Sequence, residues 1–95
     1  MLSHSSRQRN VPTLQAIVQS DSANQSYRLG GIIVNAAGTL KVGDPLGNTF
    51  TFTFTAFVAA GGVYSVFPAR LDLDIVKVFD TGTTIADADM IGLRY

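Results

Sequence analysis

The residues of this chain that could carry chemistry are few. His4 is the only histidine among 95 residues, and the chain has neither cysteine nor glutamate. A Ser-His-Asp triad or a histidine metal site needs partner groups that do not surround His4 in the polar N-terminal segment. The lack of cysteine excludes thiol catalysis, thiolate metal sites and a disulfide framework. We therefore predict no catalytic, metal-binding or cofactor-binding residues, and a protein that is not an enzyme.

Two carboxylates have a spacing that is superficially suited to acid–base work. Asp72 and Asp74 are two residues apart, which in a strand separates their α-carbons by about 7 Å and resembles a glycosidase pair. Leu71, Leu73 and Ile75 alternate with them. If these apolar residues face inward, the aspartates face water, where neither gains the raised pKa of a general acid.

The other polar and glycine clusters match turns better than binding sites. Asp80, Asp87 and Asp89 could offer oxygens to calcium, but they lack the glycine and terminal glutamate of an EF-hand loop. Gly30-Gly31 and Gly61-Gly62 are not followed by a phosphate-binding pattern or a helix start, which phosphate loops require. We interpret these segments as turns and bends.

The elements that carry these residues are predicted to be strands. In residues 49–55 three phenylalanines alternate with four threonines, which places the rings on one side of a strand and the hydroxyls on the other. The other predicted strands span residues 14–18, 31–34, 39–42, 63–67, 71–79 and 90–95. Gly38 suits the tight loop of a hairpin between residues 31–34 and 39–42.

Short strands separated by turn formers predict an all-β fold. We expect a single small antiparallel β-sandwich or barrel of six or seven strands over residues 13–95, preceded by an extended N-terminal arm over residues 1–12. Such a short chain buries only about 60–65% of its unfolded surface. Without disulfides, the remaining means of adding stability is oligomerisation, so we expect a homo-oligomer.

Charge and hydropathy exclude two classes of partner. Seven basic and seven acidic residues cancel, so the basic surface of a nucleic-acid-binding protein is missing. No apolar run reaches the roughly 18 residues of a membrane helix. We predict neither a nucleic-acid partner nor a membrane partner.

The most informative feature is a stretch without charge. Residues 45–69 contain no charged side chain, whereas the rest of the chain has fourteen. Exposed strands normally carry charges that prevent edge pairing, so this stretch predicts contact with another subunit. The alternative is that the threonine side is only hydrated. The predicted subunit or capsid interface comprises Thr49, Thr51, Thr53, Thr55, Val63 and Tyr64, with Arg7 and Arg9 reaching from the arm.

The order of several segments resembles a known family. Val76-Lys77-Val78-Phe79 runs into the turn Asp80-Thr81-Gly82-Thr83-Thr84, and the chain closes on Met90-Ile91-Gly92-Leu93-Arg94-Tyr95. Upstream, in the same order, lie the Ser20-Asp21 turn, residues 33–40, the Thr/Phe strand and an Ala-Gly-Gly loop. This pattern resembles the spike-base family of small virion head proteins of tailed phages and gene transfer agents. Ile85 and the polar residues 86–89 depart from the shorter link usual in that family.

The resemblance implies a structural virion protein on the capsid exterior. Such a protein would be a head decoration, a cement protein or a spike-base subunit, which stabilises the head or seats a projecting fibre. Its implied partners are copies of itself in a trimer or pentamer, the major capsid protein and a spike or fibre protein, assembled in the host cytoplasm. The alternative is a glycan- or receptor-binding β-module, for which Tyr27, Tyr64 and Tyr95 are the candidate aromatic residues.

Overall fold

The computed structural model describes residues 11–55 and 67–95. These residues form seven strands and one turn of 3-10 helix at Asp87–Asp89. The strands are β1 (Thr13–Ala16), β2 (Leu29–Val34), β3 (Gly38–Gly43), β4 (Thr49–Phe54), β5 (Ala69–Ile75), β6 (Lys77–Val78) and β7 (Met90–Arg94). The predicted all-β antiparallel fold is confirmed. The described residues contain no helix of the length and apolarity that a membrane span requires.

The strands form two sheets. One has four strands in the order β1-β7-β2-β5, and the other has three in the order β4-β3-β6. Their inward residues make one core, in which several side chains have no solvent exposure. The buried core residues are Ile17, Leu29, Ile32, Val34, Leu40, Val42, Ile75, Val78, Ile85 and Met90. Residues far apart in the chain therefore meet in one apolar layer, whose burial stabilises both sheets.

The predicted hairpin between residues 31–34 and 39–42 is wrong. β2 pairs with β5 on one side and with β7 on the other, while β3 pairs with β4 and β6. Neither strand has a free edge for the other, so the loop between them carries the chain from one sheet to the next. Gly38 nevertheless has a φ of +145° at the start of β3, a conformation that L-residues rarely adopt, although it does not belong to a hairpin loop.

The predicted single strand over residues 71–79 is in fact two. β5 belongs to the four-stranded sheet and β6 to the three-stranded sheet, with Val76 between them. The amide of Val76 donates to the carbonyl of Gly43 (2.9 Å), and its own carbonyl accepts from the amide of Gln25 (2.8 Å). These bonds satisfy the backbone at the crossing, so the apolar run can continue through it.

The Thr/Phe strand is confirmed as β4, but its rings do not all fill the core as predicted. Phe52 and Phe54 are half-buried and pack against the core from its margin. Phe50 is 38% exposed and stacks on Phe52, with ring centroids 6.4 Å apart. β4 lies at the edge of its sheet, where the facing sheet covers the rings only in part.

Candidate functional site

The four threonines of the predicted interface form one exposed surface, which we call the threonine face. Thr49, Thr51, Thr53 and Thr55 are all exposed. The β3–β4 register places Thr51 opposite Lys41 on the outward side of the three-stranded sheet. The ammonium group of Lys41 lies over the ring of Phe79, 4.9 Å from its centroid. β4 itself contributes no charge to this face.

The remaining residues of the predicted interface are Arg7, Arg9, Val63 and Tyr64, and they lie outside the described residues. The structure therefore brings together only the threonine part of the predicted set. The exposure of these threonines leaves them accessible to a partner, and their role in an interface stays a prediction.

The sheet edges differ in how they are protected against pairing. The edge beside β6 is covered, since the amides of Ser20 and Gln25 donate to the carbonyls of Val78 and Val76. β5 has one free edge within residues 11–55 and 67–95, and it carries alternating charged residues. β1 and β4 also pair on one side only among these residues, and neither strand contains a charge. Uncharged edges are the ones open to another chain.

A second uncharged surface, which the sequence analysis missed, lies on the outward side of the four-stranded sheet. The strand registers align Leu14 with Leu93 and Gly31, and Ala16 with Ile91 and Ile33. Ile32 and Val34, which alternate with Gly31 and Ile33 in β2, face the core, so these six residues lie on the outward side. We call this surface the apolar face; its members are Leu14, Ala16, Gly31, Ile33, Ile91 and Leu93.

Burial varies across the apolar face. Leu14 is 63% exposed, Ile33 and Ile91 are half-buried, and Gly31 and Leu93 are buried. Leu93 leans over Gly31, where its Cδ1 would lie 3.3 Å from a β-carbon. The signal that could have revealed this face is that β2 and β7 are apolar at almost every position, which is typical of strands covered on both sides.

Charged side chains border the apolar face along β5. Arg70 is opposite Ile33 and Asp72 is opposite Gly31. The guanidinium of Arg70 donates to the Asp72 carboxylate (2.7 Å) and to the hydroxyl of Tyr95. The Asp72 carboxylate raises the pKa of Arg70 through this hydrogen bond. The border is therefore locally neutral.

The carboxylate pair considered for acid–base chemistry is placed as predicted. Asp72 and Asp74 are exposed, while Leu71, Leu73 and Ile75 face the core. Asp74 accepts a 2.8 Å hydrogen bond from Arg28. In the part of the chain that the structure describes, no three acidic or histidine side chains are grouped so that they could hold a metal ion.

The turn that carries part of the family resemblance completes the three-stranded sheet. Beyond β6, the hydroxyl of Thr83 accepts from the amide of Lys41 (2.9 Å), and that of Thr84 accepts from the amide of Thr39 (2.8 Å). Gly82 has a φ of +97°, and a β-carbon there would meet the Lys41 side chain at 3.0 Å. The Thr-Gly-Thr-Thr pattern therefore has a structural role within a single chain, because its hydroxyls and its glycine complete the three-stranded sheet.

The turn at residues 80–84 is also stabilised by Asp21, a residue far from it in the sequence. The carboxylate of Asp21 accepts from the Thr81 hydroxyl (2.6 Å) and from the Thr81 amide (2.8 Å). These bonds favour the ionised form and lower the pKa of Asp21. The two turns quoted in the resemblance, at residues 20–21 and 80–84, therefore form one hydrogen-bonded unit.

Two of the three candidate tyrosines of the glycan-binding alternative can be placed. The guanidinium of Arg94 stacks on the ring of Tyr27, 3.9 Å from the ring centroid. The hydroxyl of Tyr95 accepts a hydrogen bond from Arg70. Arg94 and Tyr95 are successive residues at the end of β7, so their side chains leave opposite sides of the sheet. The two tyrosines therefore do not form one aromatic platform.

Comparison with known proteins gives one informative similarity. No family model matches the sequence. No curated protein matches it. The chain is similar to a chain in the solved structure of the capsid of a native GTA particle, computed with C5 symmetry. Identity is 28%, the TM-score is 0.65, and the alignment covers 86% of this chain and 81% of that chain. This similarity supports a structural protein of a virion of the phage or gene-transfer-agent type.

Proposed function

We propose that this chain is a subunit of the capsid exterior, either a head decoration or cement protein or the base of a vertex spike. The observation that carries the proposal is the similarity to a chain of a GTA capsid over most of both chains. The spike-base family, which the turn and the terminal strand resemble, belongs to the same class of particle. In this role the protein stabilises the head or seats a projecting fibre.

Assembly with copies of itself and with the major capsid protein is part of the proposal. The uncharged edges β1 and β4 and the exposed threonine face support it, because they leave pairing surface unprotected. Many repeated copies on one particle make weak single contacts sufficient for attachment. The trimer and the pentamer are the two candidate symmetries, and a spike or fibre protein is the further partner of a vertex base.

The test uses particles from the genome that encodes this chain. Heads are purified from a strain in which the gene is disrupted, and the purified chain is added back and sedimented with them. We expect the chain in the pellet with the heads, and a chain that stays in the supernatant at saturating concentration would refute the proposal. The copy number in intact particles then separates the two roles, since a few dozen copies indicate vertices and several hundred indicate decoration of the lattice.

The glycan- or receptor-binding alternative has a separate measurement. The monomeric chain is applied to a glycan array. Binding to a glycan, together with no binding to heads, would favour the alternative. Binding to heads without any glycan signal would favour the capsid role.

A further inference from the structure

We propose that a hollow on the outward side of the three-stranded sheet, lined by Lys77 and Phe79, receives an acidic side chain of the capsid subunit to which this protein attaches. We call it the Lys77 hollow. This inference rests on the proposed function, in which the chain binds to a head. It names the surface that makes the contact and the chemistry of the partner.

The strand registers bring two lysines and one aromatic ring together on this side of the sheet. The amide of Phe79 donates to the carbonyl of Lys41 (2.9 Å). Two residues further along β3, Gly43 pairs with Lys77. Val42, which separates the two positions in β3, is buried in the core, so Lys41 and Lys77 both lie on the outward side.

The ring of Phe79 holds both ammonium groups close to it. The ammonium of Lys41 lies 4.9 Å from the ring centroid, and that of Lys77 lies 5.4 Å from it. The ring also approaches Gly43, where a β-carbon would lie 3.3 Å from a ring carbon. A cation is attracted to the face of an aromatic ring at such distances. Two positive charges are therefore held beside one apolar surface.

Neither ammonium group has a carboxylate partner in the part of the chain that the structure describes. Within residues 11–55 and 67–95, no carboxylate oxygen lies within 4.0 Å of either lysine nitrogen. The carboxylate of Asp21 is bonded to the hydroxyl and the amide of Thr81 (2.6 and 2.8 Å). Those bonds are the main cause of its lowered pKa, and Lys41 is a minor one. Both lysines are partly exposed, so a carboxylate of another chain can reach them.

The volume of the Lys77 hollow limits what can enter it. The hollow measures about 270 Å³, and its lining also includes Asn24, Asn48 and Thr49. Cofactors and drug-sized ligands occupy pockets of about 300–1,000 Å³, so this hollow is better matched to a side chain of a protein partner. The lining amides, the hydroxyl and the Lys77 ammonium can donate hydrogen bonds to a carboxylate.

The acidic residues near the lysines favour a single carboxylate over a long polyanion. Asp44 also lines the hollow, but its carboxylate accepts hydrogen bonds from the backbone and side-chain amides of Asn48 (2.8 and 3.1 Å). A nucleic acid carries a negative charge at every nucleotide and would meet both Asp44 beside Lys77 and Asp21 near Lys41. One carboxylate can contact Lys77 without spanning both aspartates.

The test measures binding of the full-length chain to heads purified from the strain in which its gene is disrupted. Lys77→Gln and Lys41→Gln each remove one positive charge and keep a polar side chain. Arg70→Gln is the matched control, because Arg70 lies on the outward side of the other sheet and its exposed ion pair with Asp72 contributes little to stability. Circular dichroism and thermal melts check folding. Lys77→Arg keeps the charge and separates its loss from a change in packing.

We expect Lys77→Gln to need at least about tenfold more protein for half-saturation of the heads, and Lys41→Gln a smaller increase. Arg70→Gln and Lys77→Arg should bind within about threefold of the wild type. Equal binding of Lys77→Gln and the wild type, or an equal loss in Arg70→Gln, would overturn the inference and leave the proposed function standing. A wild type that does not sediment with heads would refute the proposed function and the inference together.

Cross-linking identifies the occupant directly. Carbodiimide joins a lysine amine to a carboxylate in contact with it, and mass spectrometry of treated heads locates the link. We expect Lys77 to be joined to an aspartate or glutamate of the major capsid protein. A link from Lys77 to a second copy of this chain would overturn the inference. Binding of the wild type to naked DNA that Lys77→Gln abolishes would also overturn it, because the occupant would then be a nucleic acid.

Discussion

Replacing Thr83 by valine tests whether the turn at residues 80–84 stabilises the fold of a single chain. Thr83→Val keeps the β-branched shape of the side chain and removes only the hydroxyl. That hydroxyl accepts a hydrogen bond from the amide of Lys41. The bond lies on the side of β3 that faces β6, at a position beyond the end of the β3–β6 pairing. The carbonyl of Lys41 still accepts from the amide of Phe79 (2.9 Å). The substitution therefore removes one hydrogen bond from the sheet.

The expected loss follows from how far water can reach the freed amide. A net hydrogen bond contributes about 0.5–1.5 kcal/mol, and an amide left without a partner in a buried place costs about 1–3 kcal/mol. The bond from Lys41 is partly buried, whereas the corresponding bond from Thr39 to Thr84 is exposed. We expect Thr83→Val to cost about 1.5 kcal/mol and Thr84→Val about 0.5 kcal/mol, since water can replace the second hydroxyl.

Thermal unfolding measured at low protein concentration separates these values. At roughly 4–8 °C per kcal/mol for a domain of this size, Thr83→Val should lower Tm by about 6–12 °C. Thr13→Val is the control, because Thr13 is exposed on β1 and makes no side-chain hydrogen bond within the residues that the structure describes. If Thr83→Val had the same Tm as the control, the Thr83 hydroxyl would not stabilise the sheet and this prediction would be wrong.

Three further perturbations test other parts of the structure. Gly92→Ala should lower the free energy of unfolding by about 1–3 kcal/mol through overpacking, because the new β-carbon would lie 2.9 Å from both methyl groups of buried Leu29. Denaturant unfolding measures this loss, and an unchanged midpoint would contradict this packing. Leu40→Ala should cost about 2–5 kcal/mol in the same assay, since Leu40 has no exposed surface, and a loss below this range would show that the core closes over the cavity. Thr81 lowers the pKa of Asp21 below the ordinary value of 3.8 through hydrogen bonds, so the carboxylate stabilises the fold above that value and loses its effect as pH falls through the lowered pKa. Asp21→Ala should accordingly lower Tm at neutral pH and converge with the wild type in acid, and a pH-independent difference would contradict the hydrogen-bond origin.

Local patterns predicted the strands well, because alternation of side chains reports which positions face the core. β4 coincides with the Thr/Phe alternation, and the inward direction of Leu71, Leu73 and Ile75 is as predicted. Turn residues were equally informative, since Gly38 and Gly82 both adopt positive φ. The same reasoning correctly placed Asp72 in water.

The assignment of strands to sheets could not be read from these patterns. A loop within a hairpin and a loop between sheets both need a turn between two apolar strands. The difference between them lies in which edges are already occupied, here those of β2 by β5 and β7. That information comes from residues 35 to 62 positions away in the chain, as the pairs Val34–Ala69 and Gly31–Leu93 show. The run at residues 71–79 shows the same limit, since both halves are apolar on the inward side while they lie in different sheets.

The distribution of charge over the edges is the link between the fold and the proposed assembly. β5 carries Arg70, Asp72 and Asp74 and is protected from pairing by alternating charge. The threonines of β4 face outward, and the residues between them supply the side of the strand that faces the core. If packing in the core alone determined the sequence of β4, lysine or glutamate would be tolerated at the threonine positions. The same holds for Leu14 and Ala16 on β1, which are exposed and apolar without contributing to the core. Uncharged strand edges on both sheets leave pairing surface open on a small domain without disulfides, and this supports the proposed assembly with other subunits on a head.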